Sequence, residues 1–302
     1  MKLLVVGHFC FDVFHLADGA EEEHHAGIFT AVAALAELLG ESDVVTPVFG
    51  VNRVDYQGIL DRLQQFPNVD SSGIFKLDEP TNRVHIYANN EQDRIVCSKD
   101  IARPIPYEKI RRHLSVDGVL INMVSGFDIA LETLDHIRLA IRSHNIPLHF
   151  DYHNLTLGVR EGHERFRRPI EDWRRWAFMD DTIQLNEEEI NGLTVERSSE
   201  KQTVGHLLTL GVKGVLVTRK ERGATLFYDQ HKKVLRKDFD GIEAPGSDIG
   251  RGDTFGSAFL FQYVRGKDMI AAADFANRFA AGTTGSNGTD RSKTLRNAKV
   301  LA

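Results

Sequence analysis

Apolar and polar positions along the chain fall into two textures. KLLVV, from Lys2, is a short apolar run of buried-strand type. It passes through Gly7 into HFCFDVF, which alternates as a half-exposed strand does. GIFTAVAALAELLG carries small apolar residues at helical spacing and closes on Gly40. VVTPVFG predicts a second buried strand and DYQGILDRLQQF a second helix. GIFKLDEPTNRVHIYANNEQDRIVCSKD alternates instead, with NNEQD as its turn, and predicts antiparallel hairpins. After Pro104 strands and helices alternate again through GVLINMVSG, ALETLDHIRLAIRSHN, IPLHFDYH, a helix through Trp173 and Trp176, DTIQLN, EEEINGL, VGHLLTLG and KGVLVTRK. GATLFYD and KKVLRKDF predict one more hairpin, and helices are expected from Thr254 to about Val264 and from Met269 to Ala281.

Apolar strands alternating with helices imply an α/β fold, a Rossmann-like and mostly parallel sheet covered on both faces. The alternating stretches, about 8–20 and 73–105, predict a small accessory β-sheet. The 302 residues fit a single domain, and neither an internal repeat nor a low-complexity linker divides them. The polar tail after Arg291 is expected to fray. A content of 42% hydrophobic and 26% charged residues supports a sizeable core. The formal net charge of −6 argues against a nucleic-acid coat or an anionic membrane as partner. No segment is long and apolar enough to span a bilayer. Cys10 and Cys97 lack metal-type spacing and suit reduced thiols in a cytoplasmic protein.

In open α/β sheets ligands bind beyond the carboxyl ends of the strands. That directs attention to Asp12, Ser125, Asp151, Asn186, Thr218 and the stretch GSDIGRGDTFGSAFL. In that stretch Gly250 and Gly252 precede a predicted helix, whose first amides have no intrahelical partner and whose dipole favours an anion, most naturally phosphate. Asp253 beside such a site is repulsive unless it acts, for example as a general base on an attacking hydroxyl. The plainer alternative is that Asp253 or Thr254 caps the helix.

GRGDTFGSAFL closely resembles the G-A-G-D-x-F motif of the ribokinase, or PfkB-type, carbohydrate kinase family. The resemblance runs in order through VVGHFCFDVF, AGIFTAVAALAELLG, IQLNEEEINGL (an N-x-x-E motif), VLVTRKERGATLF and ANRFAAGTTGSNGT. It implies a Rossmann-like domain with a small β lid, transferring the ATP γ-phosphoryl group to a hydroxyl of a sugar, sugar derivative or nucleoside. The resemblance makes Asp253 the base and the amides of Gly250, Arg251 and Gly252 the anion hole. It assigns Asp12 and Gly27 to substrate. Asn186, Thr218, Gly223 and Asn287 go to nucleotide, and Glu189 to Mg²⁺. It allows a monovalent cation and a homodimer paired through the lids. A non-catalytic member that binds sugar or nucleotide is the alternative. No P-loop, protein-kinase motif set or dinucleotide fingerprint competes.

Several positions carry two readings. Asn186 and Glu189 also fit an N-cap and its capping-box glutamate. Lys220 stands where the family has glycine, and with Arg219 it either touches phosphate or is solvated. Ala26 and Ala31 replace residues of the family's G-G-x-x-x-N substrate loop, which removes hydrogen bonds expected for ribose. Ser247 and Arg251 also depart from the motif, and the Arg251 side chain could point inward to phosphate or outward to water. HFDYH places His149, Asp151 and His153 at one strand end, as polar packing or a metal set, and the resemblance puts Asp151 and Asn154 behind the phosphates. Trp173 and Trp176 read as helix packing.

Overall fold

The structure is a computed structural model that describes residues 1–15, 20–88, 94–178, 180–194, 198–243 and 250–282. The chain begins with β1 (Lys2–Val6), β2 (Phe9–His15), β3 (Glu21–Gly27), α1 (Ile28–Leu38), β4 (Val44–Asn52), α2 (Tyr56–Leu63), β5 (Ile74–Leu77), β6 (Arg83–Ala88) and β7 (Arg94–Lys99). It continues with α3 (Tyr107–Ile110), β8 (Gly118–Asn122), α4 (Leu131–Arg142), β9 (Leu148–Asp151), β10 (Leu157–Val159), β11 (Arg165–Arg167) and α5 (Trp173–Ala177). Then follow β12 (Thr182–Asn186), α6 (Glu187–Gly192), α7 (Glu200–Thr209), β13 (Gly214–Thr218), β14 (Ala224–Gln230), β15 (Lys233–Phe239), α8 (Arg251–Gly266) and α9 (Met269–Gly282).

Among the described residues, nine strands form one sheet in the order β15-β14-β13-β12-β9-β8-β1-β4-β5. All neighbours are parallel except the β13-β14-β15 meander. The apolar runs are continuous because both faces are covered. On one face Leu4, Val6, Val119, Ile121, Phe150 and Ile183 pack with α4, α5 and α7, and Trp173 is buried there. On the other, Leu3, Val5 and Leu120 meet α1, α2 and α8, while Leu216 and Leu226 meet α8 and α9. On the inner strands β9 and β12, the positions facing α8 are polar. His149, Asp151, Thr182 and Gln184 stand there, all buried.

A separate four-stranded sheet, β3-β2-β6-β7, stands beyond the carboxyl end of β1. Two hairpins meet in it through the parallel β2–β6 pair. Its membership differs from the stretches 8–20 and 73–105. Ile74–Leu77 instead pairs with β4 as an edge of the large sheet. Glu21–Gly27 adds a strand that the sequence does not announce, because EEEHHAG is a solvated edge with only Ala26 buried. The predicted NNEQD turn (89–93) and Leu16–Gly19 lie outside the described residues.

Candidate active site

A cleft of about 930 Å³ opens between the carboxyl ends of the central strands and the inner face of the small sheet. It is lined by Asp12, Gly27, Asn186, Glu189, Thr218, Gly223 and the turn Gly250–Asp253. These residues come from six separate stretches of chain. Asn287 and Ser247 lie outside the described residues.

The turn is built by Gly250, whose left-handed backbone (φ 77°) caps α8. The helix starts at Arg251 rather than near Thr254, because the Thr254 amide already donates to the Gly250 carbonyl at 3.0 Å. Arg251, Gly252 and Asp253 therefore form the first turn, where amides have no acceptor within the helix. A Cβ at Gly252 would meet only Gln184 Nε2, at 3.7 Å. Neither fold sterics nor a positive φ requires glycine at this position. Gly252 lines the cleft, where a phosphate could reach the amides of the turn.

Asp253 is 8% exposed. Asn122, the last residue of β8, donates to its Oδ1 at 2.7 Å. Gln184 secures the turn from beneath, donating from Nε2 to the Gly252 carbonyl at 2.9 Å. His149 stands behind Gln184, with Nε2 3.4 Å from Gln184 Oε1 and Nδ1 2.9 Å from Thr182 Oγ1. Burial lowers the His149 pKa to about 4, so the ring is neutral. His149 thus supports the turn as polar packing. His153 lies beyond the strand, and no group of three metal-type ligands occurs among the described residues.

Asp151 ends β9 within reach of the charges of Asp253 and Glu189. Burial pushes its carboxyl well above the usual range, and the charges of Asp253 and Glu189 push it further. Its Oδ2 is buried without a hydrogen-bond partner among the described residues. Glu189 is likewise raised by burial, with His153, the Asn186 amide and Arg167 acting in the opposite sense. The capping-box reading of Asn186 and Glu189 holds: Asn186 Oδ1 accepts from the Glu189 amide, and Glu189 Oε2 accepts from the Asn186 amide at 2.7 Å. Both side chains still line the cleft, so the cap places a buried carboxylate there.

Other positions divide between cleft and scaffold. Gly223 (φ 85°) has no room for a Cβ, which would lie 2.1 Å from the Phe239 carbonyl. Gly27 is similarly confined by the His8 carbonyl and Val124. Asp12 projects from β2 into the cleft beside His24 and Val84 in register. Ser125 donates to Asp128 and belongs to a turn network. Asn154 holds the Val124 carbonyl. Arg219 is bound by Glu187 and Glu200. The Arg251 guanidinium reaches back to the Ile242 carbonyl at 3.4 Å. Asn122 and Gln184 escape sequence reading because they sit inside apolar strand runs. Their signal is a polar residue at or near a strand's carboxyl end.

A mostly parallel sheet carrying an aspartate on a glycine turn, with a small separate sheet across its carboxyl end, is the ribokinase-like fold. Residues 168–295, which include the turn and Asp253, match the pfkB family carbohydrate kinase model, so that part of the chain carries a PfkB-type carbohydrate kinase domain. A 5-dehydro-2-deoxygluconokinase of Clostridium tetani is 24% identical over 243 residues, spanning 77% of this chain and 68% of that one. Among solved structures, a pyrophosphate-dependent kinase in the ribokinase family superposes with a TM-score of 0.78 at 18% identity, covering 98% of this chain and 99% of the other. Arabidopsis thaliana ribokinase complexed with ribose and ATP superposes at 0.73 and 20% identity, covering 99% and 98%.

Proposed function

We propose that the protein transfers the γ-phosphoryl group of ATP to a hydroxyl of a sugar, sugar derivative or nucleoside, with Asp253 as general base. The observation that carries this reading is the position of Asp253. It stands in the first turn of α8, beside amides without helix acceptors, and opens into the same cleft as Asp12. Asn122 occupies Asp253 Oδ1, which leaves the second oxygen to take the hydroxyl proton as the phosphoryl group arrives. The amides of Gly250, Arg251 and Gly252 oppose the charge that builds on the group in transit. Each donor can be worth roughly 3 kcal/mol of barrier.

The donor set suits a nucleotide and Mg²⁺. Beside Gly252 a Cβ would meet only Gln184 Nε2, and Asp151 and Glu189 are buried carboxylates with raised pKa values, Asp151 Oδ2 having no hydrogen-bond partner among the described residues. Glu189 would hold Mg²⁺, directly or through its waters, with Asp151 behind it, and Asn186 and Thr218 would meet the phosphates. When bound, the metal neutralises phosphate charge. A monovalent cation, pairing of two chains through the small sheet, where Tyr87 is exposed, and a cytosolic address with Cys10 and Cys97 reduced belong to the same reading.

The test is product formation from a mixed pool of sugars, sugar acids and nucleosides, with ATP or pyrophosphate as donor and Mg²⁺ present. ATP-dependent product that vanishes in Asp253→Asn is expected. Product from pyrophosphate alone would overturn the ATP assignment, and ligand binding without turnover would favour the non-catalytic alternative.

A further inference from the structure

Between β9 and β12 the chain makes a small antiparallel hairpin, β10–β11, that closes one side of the cleft. Residues two apart on a strand share a face, so β11 presents Arg165 and Arg167 together along the cleft wall. Their surroundings differ. Arg167 is engaged: Nη1 donates to Thr156 Oγ1 at 2.8 Å and lies 3.6 Å from Glu189 Oε1, while Nη2 lies 3.5 Å from Glu188. Arg165 is anchored by Nε alone, which donates to Ser98 Oγ on β7. Its Nη2 is buried and has no hydrogen-bond partner among the described residues.

A guanidinium nitrogen buried without an acceptor leaves its desolvation uncompensated, which is destabilising unless a ligand satisfies it. Burial disfavours the Arg165 charge and Arg167 adds to that, while Cys10, Asp12 and Asp128 act in the opposite sense. Arg165 lines the cleft, and a guanidinium is the group that grips a carboxylate or phosphate with two parallel bonds. Ser98 stands in register with Val84, and Val84 with Asp12, across the inner face of the small sheet. Arg165 therefore reaches the small-sheet end of the cleft, which Asp12 also lines.

Resting on the kinase reading for the identity of that pocket, we infer that the acceptor carries an anionic oxygen group, a carboxylate or a phosphate ester, and that Arg165 binds it. A neutral polyol would leave Arg165 Nη2 bare. An acidic sugar supplies the acceptor it lacks.

The test is calorimetric binding in the presence of a non-hydrolysable ATP analogue, so that it does not depend on turnover. Three sets of probes are matched for chain length: aldonates, sugar monophosphates and alditols. At least one anionic set is expected to bind tenfold or more tighter than the alditols, and which one does so distinguishes carboxylate from phosphate. Arg165→Gln should abolish that preference and leave the affinity for the ATP analogue unchanged. Arg165→Lys, which keeps the charge but not the fork, guards against misfolding and should retain part of the preference. Alditols that bind as tightly as both anionic sets, failure of both anionic sets to bind, or a preference that survives Arg165→Gln would each overturn the inference. Arg165-dependent anion binding without phosphoryl transfer would instead overturn the kinase reading and leave this one standing.

Discussion

Asn122 Nδ2 donates a 2.7 Å hydrogen bond to Asp253 Oδ1, joining the end of β8 to the first turn of α8 across 131 residues of chain. The bond constrains the carboxylate, and on the proposed function the proton goes to Oδ2. Asn122 is a positioning residue on this account. Asn122→Ala is expected to lower kcat by about 10–100-fold, the order expected when a reacting group loses its alignment, with nucleotide affinity nearly unchanged. A matching loss in nucleotide affinity would point to general damage to the site.

Asp253→Asn preserves size and the bond geometry of the turn. It is expected to reduce kcat by roughly 10²–10⁴-fold, the range for a general base. Equilibrium binding of the nucleotide should persist, since the amides remain. Full turnover by the variant on an identified acceptor would remove Asp253 from the chemistry.

Gly252→Ala separates packing from ligand contact. Its methyl would meet only Gln184 Nε2, at an ordinary 3.7 Å. Alanine in a helix is favoured over glycine by up to about 1 kcal/mol, so the melting temperature should hold or rise. Phosphate contact should suffer, with nucleotide affinity or kcat falling about tenfold or more by obstruction of the amides. Unimpaired catalysis in a stable variant would mean that the space beside Gly252 is not where phosphate lies.

Asp151 gives a pH signature. Its folded pKa lies above its unfolded value because burial and the charges of Asp253 and Glu189 disfavour ionisation. The native state therefore holds this proton more tightly than the unfolded chain does. At pH values above the folded pKa the group is destabilising, and the penalty fades as pH falls toward the usual carboxylate range. Asp151→Asn, which can still accept from the His153 amide, should stabilise the ligand-free protein by about 1–3 kcal/mol near neutrality, the scale of a buried unsatisfied group. The gain should shrink on acidification in melting curves taken from pH 8 to pH 4. A gain independent of pH would place the effect elsewhere.

The alternation of strands and helices and the glycine turn were legible because each leaves a local mark. Apolar runs show the sheet, and glycine before a helix shows the turn. β3 was not legible, since the edge strand EEEHHAG buries one residue and takes its shape from pairing with β2. The β10–β11 hairpin is three residues a side and takes its place against β7, so its arginines carried no sequence signal. Asn186 and Glu189 show a different limit. One pair of side chains satisfies a capping box and lines the cleft at once, so the two readings of its sequence were never exclusive.

The small sheet is stapled at its β7 edge. The Ser98 amide donates to the His163 carbonyl, Arg165 donates to Ser98 Oγ, and Cys97 bridges Glu164. A flap hinged only where it leaves the large sheet could swing clear of the cleft. This one must either give up those bonds or carry the β10–β11 hairpin with it. In the second case the side chain that senses the acceptor's charge rides on the cover itself, and shutting the cleft and checking its occupant become one mechanical event.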